Sequence, residues 1–116
     1  MKILNPTVHG FLDYIVVIAF AIAPTIIGLT GLPATICYAL AAVHLLLTLV
    51  TAFPLGAIKL VPLWLHGAIE LIVSIALMAL PWVLKFTADT TARNFYLCAG
   101  VIIFITWAVT DYKAAR

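Results

Sequence analysis

The chain has 116 residues, of which 66% are hydrophobic and 9% charged, with a net charge of +2 and a mean hydropathy of +1.27. A soluble domain is about 45–50% apolar and about 25% charged, so this composition excludes a soluble globular enzyme and a disordered tail. Six scattered basic residues also exclude a nucleic-acid-binding surface. The solvent such a chain suits is lipid.

A transmembrane helix needs about 20 mainly apolar residues, and four segments qualify. The first runs from about Pro6 to Leu29, with Asn5 as N-cap and Pro6 at the first helical position. Lys2 and the small-x-small stretch Ala21-Ile22-Ala23 imitate a signal peptide, but His9 and Asp13 interrupt the apolar core and Pro24 would follow the cut. The segment is therefore expected to be retained. The second span runs from about Pro33 to Phe53 and stops at Pro54-Leu55-Gly56. The third runs from about Pro62 to Leu84, and the fourth from about Ala92 to Tyr112 after a polar loop containing Asp89. Short connections make successive helices antiparallel neighbours. The expected fold is all-α: a single four-helix transmembrane domain built as two parallel two-helix repeats in a compact bundle.

Lys2, Lys59, Lys113 and Arg116 fall on one side of the membrane, and Lys85 and Arg93 on the other. The positive-inside rule then places both termini in the cytoplasm. Trp64, Trp82 and Trp107 fall near helix ends, as an interfacial aromatic belt would. Cys37 and Cys98 lie in separate apolar runs without a Cys-x-x-Cys pair, and read as small buried hydrophobes.

The chain repeats itself. His9-Gly10-Phe11-Leu12-Asp13 aligns with His66-Gly67-Ala68-Ile69-Glu70 at an offset of 57, which also carries Pro24 onto Pro81. With one residue inserted, Tyr38 meets Tyr96 and Thr48 meets Thr106, while His44 meets Ile102. The repeats span about residues 5–56 and 61–113. Two helices per repeat place the pseudo-two-fold axis along the membrane normal.

A two-helix repeat with a proline-centred motif near the end of its first helix resembles the SPW-repeat membrane proteins. Leu80-Pro81-Trp82 keeps Pro-Trp of that motif, and Ala23-Pro24-Thr25 keeps the proline. The resemblance implies a small integral protein of the bacterial cytoplasmic membrane. It implies no particular reaction.

Ionisable groups inside a span cost about 2.5–3.5 kcal/mol each on insertion scales and face the bundle interior. His9 and Asp13 are four residues apart on one helix face, and His66 and Glu70 repeat the spacing. Pseudo-symmetry would bring the pairs together, where they could bind a divalent metal, hold or relay protons, take a small polar ligand, or form a structural network. His9 and His66 are the best metal or bis-histidine haem candidates. His44, near the middle of the second span, needs a partner: haem, a quinone, Tyr14, Ser74 or a backbone carbonyl. Asp111 closes the last helix, within reach of Lys113, Lys2 or Lys59, or joins the His–acid layer. Pro24 and Pro81 release the carbonyls of Phe20 and Leu77, as a structural kink, a helix end or a hinge that opens the outer half of the bundle. Thr48, Thr106, Ala19 and Ala23 are candidate close-packing positions.

No nucleophile–base motif, phosphate loop or metalloprotease motif is present, and little chain lies outside the spans to build an enzyme. Three functions stay open: a polar intramembrane site for a proton, cation or ligand; a haem- or quinone-binding electron-transfer module; and a structural subunit of a membrane complex. A bundle this small has little room for a pore, so a homo-oligomer or larger assembly is expected.

Overall fold

The computed structural model describes residues 3–112. Lys2, Lys113 and Arg116, which bear on orientation, lie outside the described residues. Four helices follow one another: α1 (Pro6–Ile27), α2 (Gly31–Leu49), α3 (Leu63–Val83) and α4 (Thr90–Val109). All four are long and apolar enough to cross a membrane. At about 1.5 Å per residue each is about 28–33 Å long, which matches a hydrocarbon core of about 30 Å. The molecule extends 44 Å along its longest axis.

The burial pattern is inverted relative to a soluble bundle. On α1, His9, Asp13, Val17, Phe20 and Pro24 face inward, while Phe11, Ile15, Ile18 and Ile22 are exposed. The inward set includes the polar side chains and the outward set is aliphatic and aromatic. That arrangement suits an apolar solvent.

Local chemistry sets the helix ends and corrects the sequence boundaries by up to a turn. Asn5 caps α1 by accepting a hydrogen bond from the Val8 amide at 2.9 Å. The helix ends at Ile27 rather than Leu29 because Gly28 turns left-handed at φ 75°. The second helix begins at Gly31, with Pro33 in its first turn, where a missing amide hydrogen does no harm. It ends at Leu49, well before Phe53. There β1 (Thr51–Ala52) pairs in parallel with β2 (Val61–Pro62), and this pairing draws the chain out of the helix. The last helix starts at Thr90 because Asp89 caps it, accepting from the Ala92 amide at 3.1 Å. It ends at Val109, where Thr110 bridges to Leu4 and the Asp111 amide donates to the Leu4 carbonyl at 2.8 Å.

Pro24 and Pro81 both lie inside their helices, which run on to Ile27 and Val83. Neither proline terminates its helix. The carbonyl that Pro24 frees, on Phe20, accepts a hydrogen bond from the Cys37 thiol at 3.0 Å. Cys37 is buried, but it is more than an apolar filler. Cys98 is exposed.

Helix packing is closest within the pairs α1–α2 and α3–α4. The bundle is layered along its axis. An apolar plug of Phe20, Ala23, Cys37, Leu77, Tyr96 and Ile103 fills one part, and the Tyr96 hydroxyl ties it to the Pro33 carbonyl at 2.7 Å. The ionisable layer lies toward the other end. Two junctions close that end in the same way: the segment entering α3 pairs with the exit of α2, and the segment entering α1 pairs with the exit of α4.

Candidate functional site

His9 is the fourth residue of α1 and His66 the fourth of α3. Each therefore lies one turn inside its helix, with its acid one turn further on. The two pairs converge: the His9 and His66 rings sit 5.7 Å apart, edge to face. Both histidines are fully buried, and Asp13 and Glu70 are each only 3% exposed.

The Nε2 atoms point at the carboxylates. Nε2 of His9 lies 3.2 Å from Asp13 Oδ2 and 3.1 Å from Glu70 Oε2. Nε2 of His66 lies 3.1 Å from Asp13 Oδ2 and 2.7 Å from Glu70 Oε1. Each imidazole thus touches both acids, its own and that of the other hairpin.

Two threonines fix the tautomers. Nδ1 of His66 lies 2.7 Å from the Thr51 hydroxyl, and Nδ1 of His9 lies 2.7 Å from the Thr110 hydroxyl. Each hydroxyl has one hydrogen. Thr51 donates it to the Leu47 carbonyl at 2.6 Å, and Thr110 donates to the Thr106 carbonyl at 2.6 Å. Toward histidine, each hydroxyl can then only accept. Both Nδ1 atoms must carry hydrogen, and a neutral ring presents its lone pair at Nε2, inward. A bare lone pair this close to a carboxylate oxygen is repulsive, so a proton or another cation must sit between them.

His44 joins the same layer. Its Nε2 lies 3.4 Å from Asp13 Oδ1 and 4.0 Å from Glu70 Oε1. The partners expected for it are otherwise engaged. Tyr14 donates to the Leu55 carbonyl, and Ser74 donates to the Leu71 carbonyl. His44 reaches this depth because α2 ends at Leu49, a turn before the expected boundary, so the residue is less central in its span than its sequence position suggests.

Aromatic rings close the end of the site. Phe53 packs 6.2 Å from the His66 ring, and Tyr112 packs 5.6 Å from the His9 ring. Thr51-Ala52-Phe53 and Thr110-Asp111-Tyr112 thus do the same two jobs, orienting an imidazole and covering it. Burial pushes the Tyr112 phenol well above its ordinary pKa, and the nearby charges of Glu70 and Asp13 push it the same way. Asp111 contributes its amide to the junction with Leu4, while its neighbours Thr110 and Tyr112 reach the histidines. Lys59 donates to the Phe53 and Gly56 carbonyls, holding the covering loop.

Sequence reasoning missed both threonines and both covering aromatics. The only available signal was the recurrence of Thr-x-aromatic after α2 and after α4. It needs a second inserted residue to align, so the histidine offset does not find it.

Four residues present ligand atoms within 4.8 Å of one another: His9, Asp13, His66 and Glu70. The carboxylates occupy the gap between the two imidazoles, so those histidines offer no slot for a porphyrin. Comparison with protein-family models, curated proteins and solved structures finds no significant match to this chain.

Proposed function

We propose that this chain is a small integral protein of the bacterial cytoplasmic membrane whose function is carried by a cation, either protons or a metal ion, held between its two helical hairpins. One observation supports this above the others. Two buried carboxylates meet imidazole Nε2 atoms whose Nδ1 positions are already committed as donors. Two uncompensated negative charges in so dry a place would each cost several kcal/mol, so positive charge belongs there.

Asp13 Oδ2 and Glu70 Oε2 are buried and make no aligned hydrogen bond, yet each lies within 3.2 Å of an imidazole Nε2, the place where positive charge would be held. The positive-inside bias puts this layer at the cytoplasmic end, with both termini. The SPW-repeat relationship is part of the same proposal, resting on the paired hairpins and on Pro24 and Pro81. So is assembly into a homo-oligomer or larger complex, since so small a bundle has little room for a pore of its own.

The test is thermal unfolding of the detergent-solubilised protein across pH and added divalent cations. An occupant held at 100 times its dissociation constant stabilises by about 2.7 kcal/mol. The wild-type midpoint should depend on the cation. The near-isosteric double variant Asp13→Asn, Glu70→Gln should lose that dependence. Equal dependence in both proteins would show the acids to be structural.

A further inference from the structure

The geometry points to a specific occupant: one divalent transition-metal ion, bound by Nε2 of His9, Nε2 of His66 and one oxygen each from Asp13 and Glu70. This rests on the cation reading above and narrows it.

The distances carry the first step. A tetrahedral ion with bonds of about 2.0–2.2 Å holds its ligands about 3.3–3.6 Å apart. With Asp13 Oδ2 and Glu70 Oε1 as the two oxygens, the nitrogen–oxygen separations are 3.2 and 3.2 Å for His9 and 3.1 and 2.7 Å for His66. All four ligand atoms lie within 4.8 Å of one another. To form such a shell the nitrogen–oxygen pairs must open, each by less than about 1 Å.

The second step is orientation. Metal-bound histidine ordinarily gives its other ring hydrogen to an oxygen, which fixes the tautomer and turns the lone pair to the ion. Thr51 and Thr110 supply that oxygen to His66 and His9. The same assignment follows from the threonine hydrogens alone, without reference to any ion.

The third step is an oxygen without an aligned hydrogen bond. Asp13 Oδ2 is buried, makes none, and lies 3.2 and 3.1 Å from the Nε2 atoms of His9 and His66. His44 approaches Oδ1, the opposite oxygen of Asp13, leaving Oδ2 free to coordinate.

Charge and ligand type then select the ion. Two carboxylates balance a divalent cation, giving a neutral centre in a low-dielectric bundle. Two imidazoles select a zinc-like or iron-like ion over magnesium or calcium, which take six or more oxygens or keep several waters.

Cobalt(II) is the probe, added to metal-stripped protein in detergent. One ion should bind per chain, with visible absorption stronger than that of the aqueous ion, as low-coordinate cobalt gives. Zinc should abolish the band and magnesium should not. His66→Gln should remove it. Thr110→Val keeps every ligand and should weaken affinity about 10–100-fold, with circular dichroism checking that the helices persist. A wild-type protein that develops no band, or variants that bind as it does, would overturn the metal assignment. If the band is missing but the cation dependence of the unfolding midpoint persists, with pH as the cation variable, and still vanishes in Asp13→Asn, Glu70→Gln, the broader reading stands with protons as the occupant. Loss of both signals removes both.

Discussion

Gly10 and Gly67 each follow a histidine, and each leaves the room that a covering side chain fills. A Cβ on Gly67 would fall 2.8 Å from the Tyr112 ring, and one on Gly10 would collide with the Phe53 ring. Overpacking of this kind costs about 1–3 kcal/mol. Gly67→Ala should therefore lower the unfolding midpoint, measured in detergent, more than an alanine at an exposed loop position. Tyr112 makes a second prediction. Its phenol is held protonated in the folded protein and has an ordinary pKa of about 10 when unfolded. The folded state thus binds that proton more tightly, and its stability should fall as pH rises above about 10. Tyr112→Phe should flatten that alkaline slope in melts taken between about pH 8 and 12. At this scale the sequence was partly legible. The four-residue spacing of His9 to Asp13 and of His66 to Glu70 announced the centre. Thr51 and Thr110 did not announce themselves, because a threonine's role depends on which atom shares its single hydrogen, and both histidine partners are brought near only by tertiary packing.

Among the elements, the helix count followed from apolar length and the start of α1 from capping chemistry, with Asn5 before Pro6, whereas α2 and α4 begin two residues earlier than expected. The ends of α2 and α4 followed from neither. Thr51 and Thr110 leave their helices to pair with Val61 and Leu4, and pairing partners so placed leave no local mark. Pro24 shows how an element defect is repaired from outside. The Phe20 carbonyl it frees is met by the Cys37 thiol on α2. Cys37→Ala should leave that carbonyl without a donor and cost about 1–3 kcal/mol. With Pro24→Ala in place, the helix supplies its own donor and the same substitution should cost less. A double-mutant cycle read by thermal unfolding measures the difference, expected within about 0.5–3 kcal/mol. Gly100 plays a comparable part between α3 and α4, since a Cβ there would come within 2.7 Å of the Ser74 carbonyl oxygen.

For the whole molecule, composition was the most legible feature. With so few charges, the outward faces of the helices had to be apolar, and the exposed isoleucines of α1 are what such a chain presents to lipid. The closed arrangement of the ends was not legible, because it depends on Leu4 meeting Thr110 across nearly the full chain. That junction repeats the one between β1 and β2 and makes the bundle nearly circular.

The same junction means that the polar groups of the first hairpin find their partners late in the chain. As the first hairpin enters the membrane it carries His9, Asp13 and His44, but neither Glu70 nor Thr110. Its polar groups wait in lipid, half-partnered, each group costing about 2.5–3.5 kcal/mol on insertion scales. Only when α4 has been threaded does Thr110 reach His9 and the compensation become complete. A hairpin on its own would keep its carboxylate short of the partners that the second hairpin brings, so the two halves are bound to fold as one.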